Sequence, residues 1–279
     1  MNKIRSQASS LISDETLLST LVRDCERIFD EGFSRHEGAA VTAGNIHRYC
    51  YSAVHETDLY QDIKDRDNHR AGDVLNAVSS RISTLHDALI AAVLGNAIDY
   101  GVTGHRVAEN FTEFFSEIFS HGLAQDDSNE FFRMIDRVVY FTDNCGEVIF
   151  DMQFIEELKK CGSHVTVVVK DGPMLNDVTM REAWMIGLDT VADAVYIGGK
   201  GQLLGTHPPE FPPEVREAVG CATLIIAKGL ANYESLTEYE LDTPVAYLMM
   251  IKCDAVGRHI TETYGRQTKK GDLVAFLGK

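Results

Sequence analysis

At 279 residues with 44% hydrophobic side chains, the chain is long enough to bury one large core or two modest ones. Its 26 Lys and Arg against 42 Asp and Glu leave a net charge of −16, which argues against a general nucleic-acid or anionic-membrane surface and leaves any phosphate to be met by a local metal or Lys. The six cysteines show no CxxC or zinc-finger spacing, no apolar run approaches the roughly 18 residues of a membrane span, and the start Met1 to Ser6 lacks a signal-peptide core; a soluble cytoplasmic protein with reduced thiols is expected.

From about Asp14 to Gly122 the pattern is helical and contains no proline. Leu17, Leu18, Leu21 and Val22 follow Ser13-Asp14-Glu15 with the period of an amphipathic helix that closes near Gly32. A second helix is expected over 43–55 and a third, long one over 68–94. The charged run from Asp58 to Asn68 reads by itself as a solvated helix start. Very apolar Ala88 to Leu94 then runs into Gly95-Asn-Ala-Ile-Asp-Tyr-Gly101, which puts Asn96 and Asp99 at the edge of a core, either as helix-end caps or as ligand contacts. Seven histidines in this half form neither His-x3-His nor His-Glu-x-x-His, so they read as surface or structural residues. Phe111 to Phe119 is an aromatic helix, and the boundary between an all-helical portion, 1–125, and an α/β portion, 126–279, falls in the polar stretch that follows.

Arg137 to Phe141 is a short β-branched and aromatic strand, and Val148 opens an amphipathic helix continuing through Phe154, Ile155 and Leu158. The loop between them, Asp143-Asn144-Cys145-Gly146-Glu147, is either an ordinary helix cap or a site for something positively charged. His164 to Lys170 is a second buried strand. The strand–helix–strand unit has the length of a right-handed crossover, so the two strands are expected to be parallel neighbours whose loops meet. That brings Asp177 beside Asp143 and Asn144, a hard oxygen set suited to magnesium or manganese. Further strands are expected over 194–197, 221–227, 245–251 and 273–277, with helices over 180–187 and 214–219. The glycine-rich loop 198–206 fits neither GxxxxGKS nor GxGxxG. Lys228, at the end of the 221–227 strand, is either a phosphate clamp or a capping Lys.

Taken together and in order, Asp143-Asn-x-Gly-Glu-x-x-x-Asp151, Pro173-x-x-Asn-Asp-x-Thr179 and Lys228-Gly-x-x-Asn-Tyr-Glu234 resemble the metal-dependent damage-control phosphatases, and Gly95-Asn-x-Ile-Asp-x-Gly101 and Lys252-Cys253 also match. The resemblance covers roughly residue 50 to the C-terminus. It implies a helical N-terminal portion packed on a Rossmann-like, mostly parallel three-layer α/β sheet. It further implies one divalent metal on Asp143, Asn144 and Asp177, with magnesium or manganese favoured and cobalt or nickel as alternatives. Asn96, Asp99, Glu147, Lys228, Asn232 and Glu234 would line the substrate site. The implied substrates are small phosphorylated metabolites, such as sugar phosphates or phosphopantetheine derivatives. The sequence departs from stand-alone prokaryotic relatives in lacking their N-terminal Cys-x-x-Cys: Arg5 to Leu11 contains no cysteine.

On this reading either Asp143 or Glu147 orients the attacking water and Lys228 holds a phosphate oxygen. Three other functions are weighed against it. A carboxylate methyltransferase requires a glycine-rich loop after the first strand, which 143–147 is not. A haloacid-dehalogenase-type phosphatase requires Asp-x-Asp there, where the chain has Asp143-Asn144-Cys145. A non-catalytic metal- or metabolite-binding protein is the remaining alternative.

Overall fold

The structure is a computed structural model, which describes residues 14–54, 58–97, 111–199 and 203–278. Among the described residues five helices come first: α1 (Glu15–Ser34), α2 (Ala39–Val54), α3 (Gln61–Val78), α4 (Leu85–Ala97) and α5 (Phe111–His121). The α1 N-terminus is capped by Asp14, whose Oδ1 accepts from the backbone N–H groups of Thr16 and Leu17. The single long helix expected over 68–94 is instead two, separated by a 3-10 turn at Ser79–Arg81. The break is a capping box: Asp87 Oδ2 accepts from the Ser83 and Thr84 N–H groups, and Thr84 Oγ1 accepts from the Asp87 N–H.

A seven-stranded sheet follows. In chain order its elements are β1 (Gln125–Asp126), α6 (Ser128–Phe131), β2 (Arg137–Phe141), α7 (Glu147–Lys160), β3 (His164–Val169), α8 (Met180–Ile186), α9 (Leu188–Val191), β4 (Ala194–Ile197), α10 (Pro213–Gly220), β5 (Leu224–Lys228), α11 (Gly229–Leu236), β6 (Val245–Met250), α12 (Asp254–Tyr264) and β7 (Leu273–Leu277). The spatial order is β1-β7-β6-β5-β2-β3-β4, parallel throughout except for the antiparallel β6–β7 pair. The expected parallel pairing of β2 with β3 is present, Arg137 against His164 through Phe141 against Val168. Helix α11 and the two-residue β1 carry too little periodic signal to be read from sequence alone, whereas α12 is amphipathic, with Val256 and Ile260 on its buried side, and is not among the expected elements.

Side-chain alternation divides the core between the two faces of the sheet. Val138 and Tyr140 of β2 and Ile226 of β5 join Leu89 to Leu94 of α4 and Val148, Phe150 and Phe154 of α7 on one face. Val139, Phe141 and Ile225 join Val215, Tyr233 and Ile260 on the other. The result is the expected three-layer α/β arrangement. A small third cluster, Leu21, Cys25 and Ile46, holds the α1–α2 hairpin.

The strand order fixes where a ligand goes. From β2 the chain steps outward to β3 and β4, then returns to β5 on the other flank of β2 and proceeds to β6. Successive crossovers therefore diverge between β2 and β5, opening a crevice at the carboxyl ends of those two strands. Asp143 follows one and Lys228 ends the other.

Candidate active site

Two loops meet at this crevice and are stitched by backbone hydrogen bonds. The Cys145 N–H donates to the Asn176 carbonyl at 2.8 Å and the Val178 N–H to the Asp143 carbonyl at 2.9 Å, so Asn144 and Asp177 form an isolated antiparallel bridge. The second loop turns at Leu175, a non-glycine residue with φ of 49°, whose N–H donates to the Tyr51 hydroxyl on α2 at 2.9 Å. The capping alternative for residues 143–147 does not hold. The N-cap of α7 is Gly146, at φ 85°, with no side-chain cap. The Asp143 and Asn144 side chains face other side chains.

Those side chains form one buried network. Asn96, at the end of α4, donates its amide to Asp143 Oδ2 at 3.1 Å and to Glu147 Oε2 at 2.8 Å, and Asn144 donates to the same two oxygens at 2.9 and 3.2 Å. The Met250 N–H donates to Asn96 Oδ1 at 3.0 Å, which fixes which end of that amide meets the acids. Lys228 is fully buried; its ammonium donates to Glu147 Oε1 at 3.1 Å, Asp151 Oδ1 at 2.5 Å and the Ala92 carbonyl at 2.9 Å. An ammonium has three donors, so Lys228 is saturated by protein acceptors. Tyr140 donates to Asp151 Oδ1 at 2.7 Å. Asn232 is likewise spent on structure: its amide donates to the Thr142 and Lys228 carbonyls, and its Oδ1 accepts from Thr206 Oγ1 at 2.7 Å.

Glu234 is half-buried on α11 and makes no hydrogen bond to the acid network among the described residues; burial, then Glu238, pushes its carboxyl up. Asp99 lies outside the described residues. Residues to which the sequence reading gave no role complete the site. Asp151 lies one helical turn after Glu147 on the inner side of α7, and Lys170 stands 3.6 Å from Asp177 at the end of β3. The charged run at 58–68 is not a solvated helix start. Lys64 is fully buried against Asp58 at 2.9 Å and Glu182 at 3.6 Å, and Asn68 Oδ1 accepts from the Gly146 N–H at 2.6 Å. Helix α3 thus braces the Asp143 loop from behind. The period of α3 carries a legible hint of this, since Lys64, Asp67, Asn68 and Ala71 share a face.

Electrostatically, four buried carboxylates, Asp143, Glu147, Asp151 and Asp177, line the site; the saturated Lys228 meets Glu147 and Asp151, and Lys170 stands beside Asp177. Burial, then Glu147 and Asp177, pushes the Asp143 carboxyl well up, with Lys252 and Lys170 pulling the other way. Burial raises Asp177 to about 6 against the pull of Lys170 and Lys64, and raises Asp151 to about 6 against Lys228. Lys228 itself is raised: burial disfavours its charge, but Asp151 and Glu147 outweigh that. Asp177 Oδ2 is buried with no hydrogen-bond partner. A concentration of acid this poorly neutralised is the arrangement a hard cation relieves. Among the described residues no three His, Cys, Asp or Glu side chains converge as a metal site.

The fold is a Rossmann-like α/β arrangement, and comparison with known proteins shows its family. The model of the damage-control phosphatase ARMT1-like domain matches residues 1–267, and the chain belongs to that family. It is 34% identical over 276 residues to a damage-control phosphatase of Archaeoglobus fulgidus, covering 97% of this chain and 95% of the relative. A damage-control phosphatase of Pyrococcus horikoshii is 28% identical over 245 residues, covering 86% and 82%. The crystal structure of a DUF89-family protein from Pyrococcus horikoshii superimposes with a TM-score of 0.88 at 25% identity, covering 100% of this chain and 95% of that one. No described helix is long and apolar enough to cross a membrane.

Proposed function

We propose that the protein is a divalent-metal-dependent phosphatase acting on small phosphorylated metabolites, sugar phosphates or cofactor intermediates. The observation that carries this reading is the pairing of Asp143 with Asp177, both buried, with Asp177 Oδ2 lacking any hydrogen bond. The naming of two relatives as damage-control phosphatases supports the activity class. Asp143, Asn144 and Asp177 would hold the ion, with magnesium or manganese preferred by oxygen donors. When bound, such an ion supplies charge neutralisation at a phosphate oxygen and an acidified water.

The chain's own residues divide the remaining work. Glu147 has donors on both oxygens, Lys228 on Oε1 and the two carboxamides on Oε2, so it is a fixed buttress. Among the described residues Asp143 is held by donors only at Oδ2, and the orientation of the attacking water is assigned to it. Asn96 and Asn144 keep both acids aimed at the crevice. The deciding experiment is phosphate release from p-nitrophenyl phosphate and a metabolite panel by chelator-stripped protein, with magnesium, manganese, cobalt or nickel restored singly. Release that needs metal and is lost in Asp177→Asn is expected. Binding of metal and ester without release under every condition would replace this reading with the non-catalytic one.

A further inference from the structure

The saturation of Lys228 leaves the substrate phosphate without the cation that the sequence reading gave it, and the structure offers another. Lys170 ends the register of β3 and is mostly buried. Its ammonium donates to the Gly205 carbonyl and stands 3.6 Å from Asp177 Oδ2, the carboxylate oxygen with no hydrogen bond. One strong acceptor and one distant one leave donor capacity on a group with three N–H bonds. Lys170 also lines a small cavity of about 40 Å³ at the carboxyl ends of β2, β3 and β4, walled by Phe141, Thr142, Gly198, Gly199 and Glu210. Thr142 immediately precedes Asp143 in the chain, so this cavity adjoins the acid-lined crevice.

We propose that Lys170 is the substrate-binding cation of this site. It contacts the phosphate of the ester on the Asp177 side of the crevice. Lys228 is then an internal counter-ion that holds Glu147 and Asp151 in place and never meets substrate. A second exposed-side candidate, Lys252, acts on Asp143 from the β6 side of the crevice, away from this cavity, and is the natural comparison. The proposal rests on the phosphatase reading only for the identity of the ligand as a phosphate.

The test is calorimetric titration of inorganic phosphate into manganese-loaded protein, with manganese affinity and thermal midpoint measured for every variant. Loss of one charged hydrogen bond predicts phosphate binding about 10- to 100-fold weaker in Lys170→Met, with manganese affinity kept and Lys170→Arg recovering most of the loss. Lys252→Met should change phosphate affinity less than Lys170→Met does. Should Lys170→Met not fold, acetylation of Lys170 in the wild-type protein, followed by mass spectrometry, gives the same answer: phosphate should protect that residue. Phosphate affinity unchanged in Lys170→Met, a loss that tracks manganese affinity, no protection, or no phosphate binding by the wild-type protein each overturns the assignment. Phosphate binding that depends on Lys170 without turnover of any ester would uphold it while removing the catalytic reading, so the two fail separately.

Discussion

Gly229 presses so closely on Asp143 that a Cβ at residue 229 would lie 1.7 Å from Asp143 Oδ2 and 2.3 Å from its Cγ. The contact follows from sheet register: Phe141 of β2 pairs with Ala227 of β5, and two residues further on each chain the strands' continuations meet at the crevice. Gly229 also has φ of 76°, in the left-handed region. Gly229→Ala should therefore displace the Asp143 carboxylate and strain the start of α11. We expect a loss of roughly 1–3 kcal/mol in urea denaturation and metal-dependent turnover down by at least about 100-fold. Near-normal turnover with only reduced stability would mean that Asp143 tolerates displacement and is not a ligand.

The sheet and the acid pair were legible from sequence because they rest on local signals: β-branched runs for β2 and β3, and crossover length for their parallel pairing. The function of the residues around the pair was not. Lys228 and Lys170 both end strands and look alike in sequence; only packing shows that α4 and α7 close over Lys228 and leave Lys170 at a cavity wall. Lys64 looks solvated because its partner Glu182 is more than a hundred residues away. The 3-10 break after Val78, by contrast, was readable in Thr84-x-x-Asp87, had the capping pattern been weighed above apolar periodicity.

Lys228→Met removes the counter-charge of Glu147 and Asp151 while keeping the volume of the stem. Breaking a buried ion pair from one side leaves an uncompensated charge and typically costs about 3–5 kcal/mol. Chemical denaturation should show a loss of that order, and Lys228→Met combined with Asp151→Asn should be more stable than the single variant, because the acid left behind is then neutral. A Lys228→Met protein as stable as wild type would remove the counter-ion role.

Asp177→Asn should separate stability from function. The substitution is nearly isosteric, removes a buried like charge facing Asp143, and gives up the distant pair with Lys170 and the weaker pull of Lys64. Metal-free protein carrying it is expected to be at least as stable as wild type, while metal affinity and metal-dependent phosphate release fall by about 100-fold or more. Measuring the denaturant midpoint and manganese affinity on the same preparation decides it. A variant that is destabilised yet binds manganese normally would assign Asp177 a structural role.

The raised acids set a pH dependence for the metal-free protein. Asp151 and Asp177 ionise near 6 in the fold against an ordinary 3.8. A carboxyl raised in this way binds its proton more tightly folded than unfolded, so the folded state is favoured while both states are protonated and loses that advantage as pH rises from about 4 through about 6. Above that range the buried charges are fully developed and the loss is complete. On the proposed metal assignment, a divalent ion would reverse the order at the Asp143–Asp177 end, because it would bind the ionised carboxylates and compete with their protons. Thermal midpoints of chelator-treated protein should therefore fall as the pH rises from about 4 through about 6 and level off above that. The gain on adding manganese should be small at the acid end and largest at the neutral end. A manganese effect independent of pH across that window would show that the ion binds somewhere other than these carboxylates.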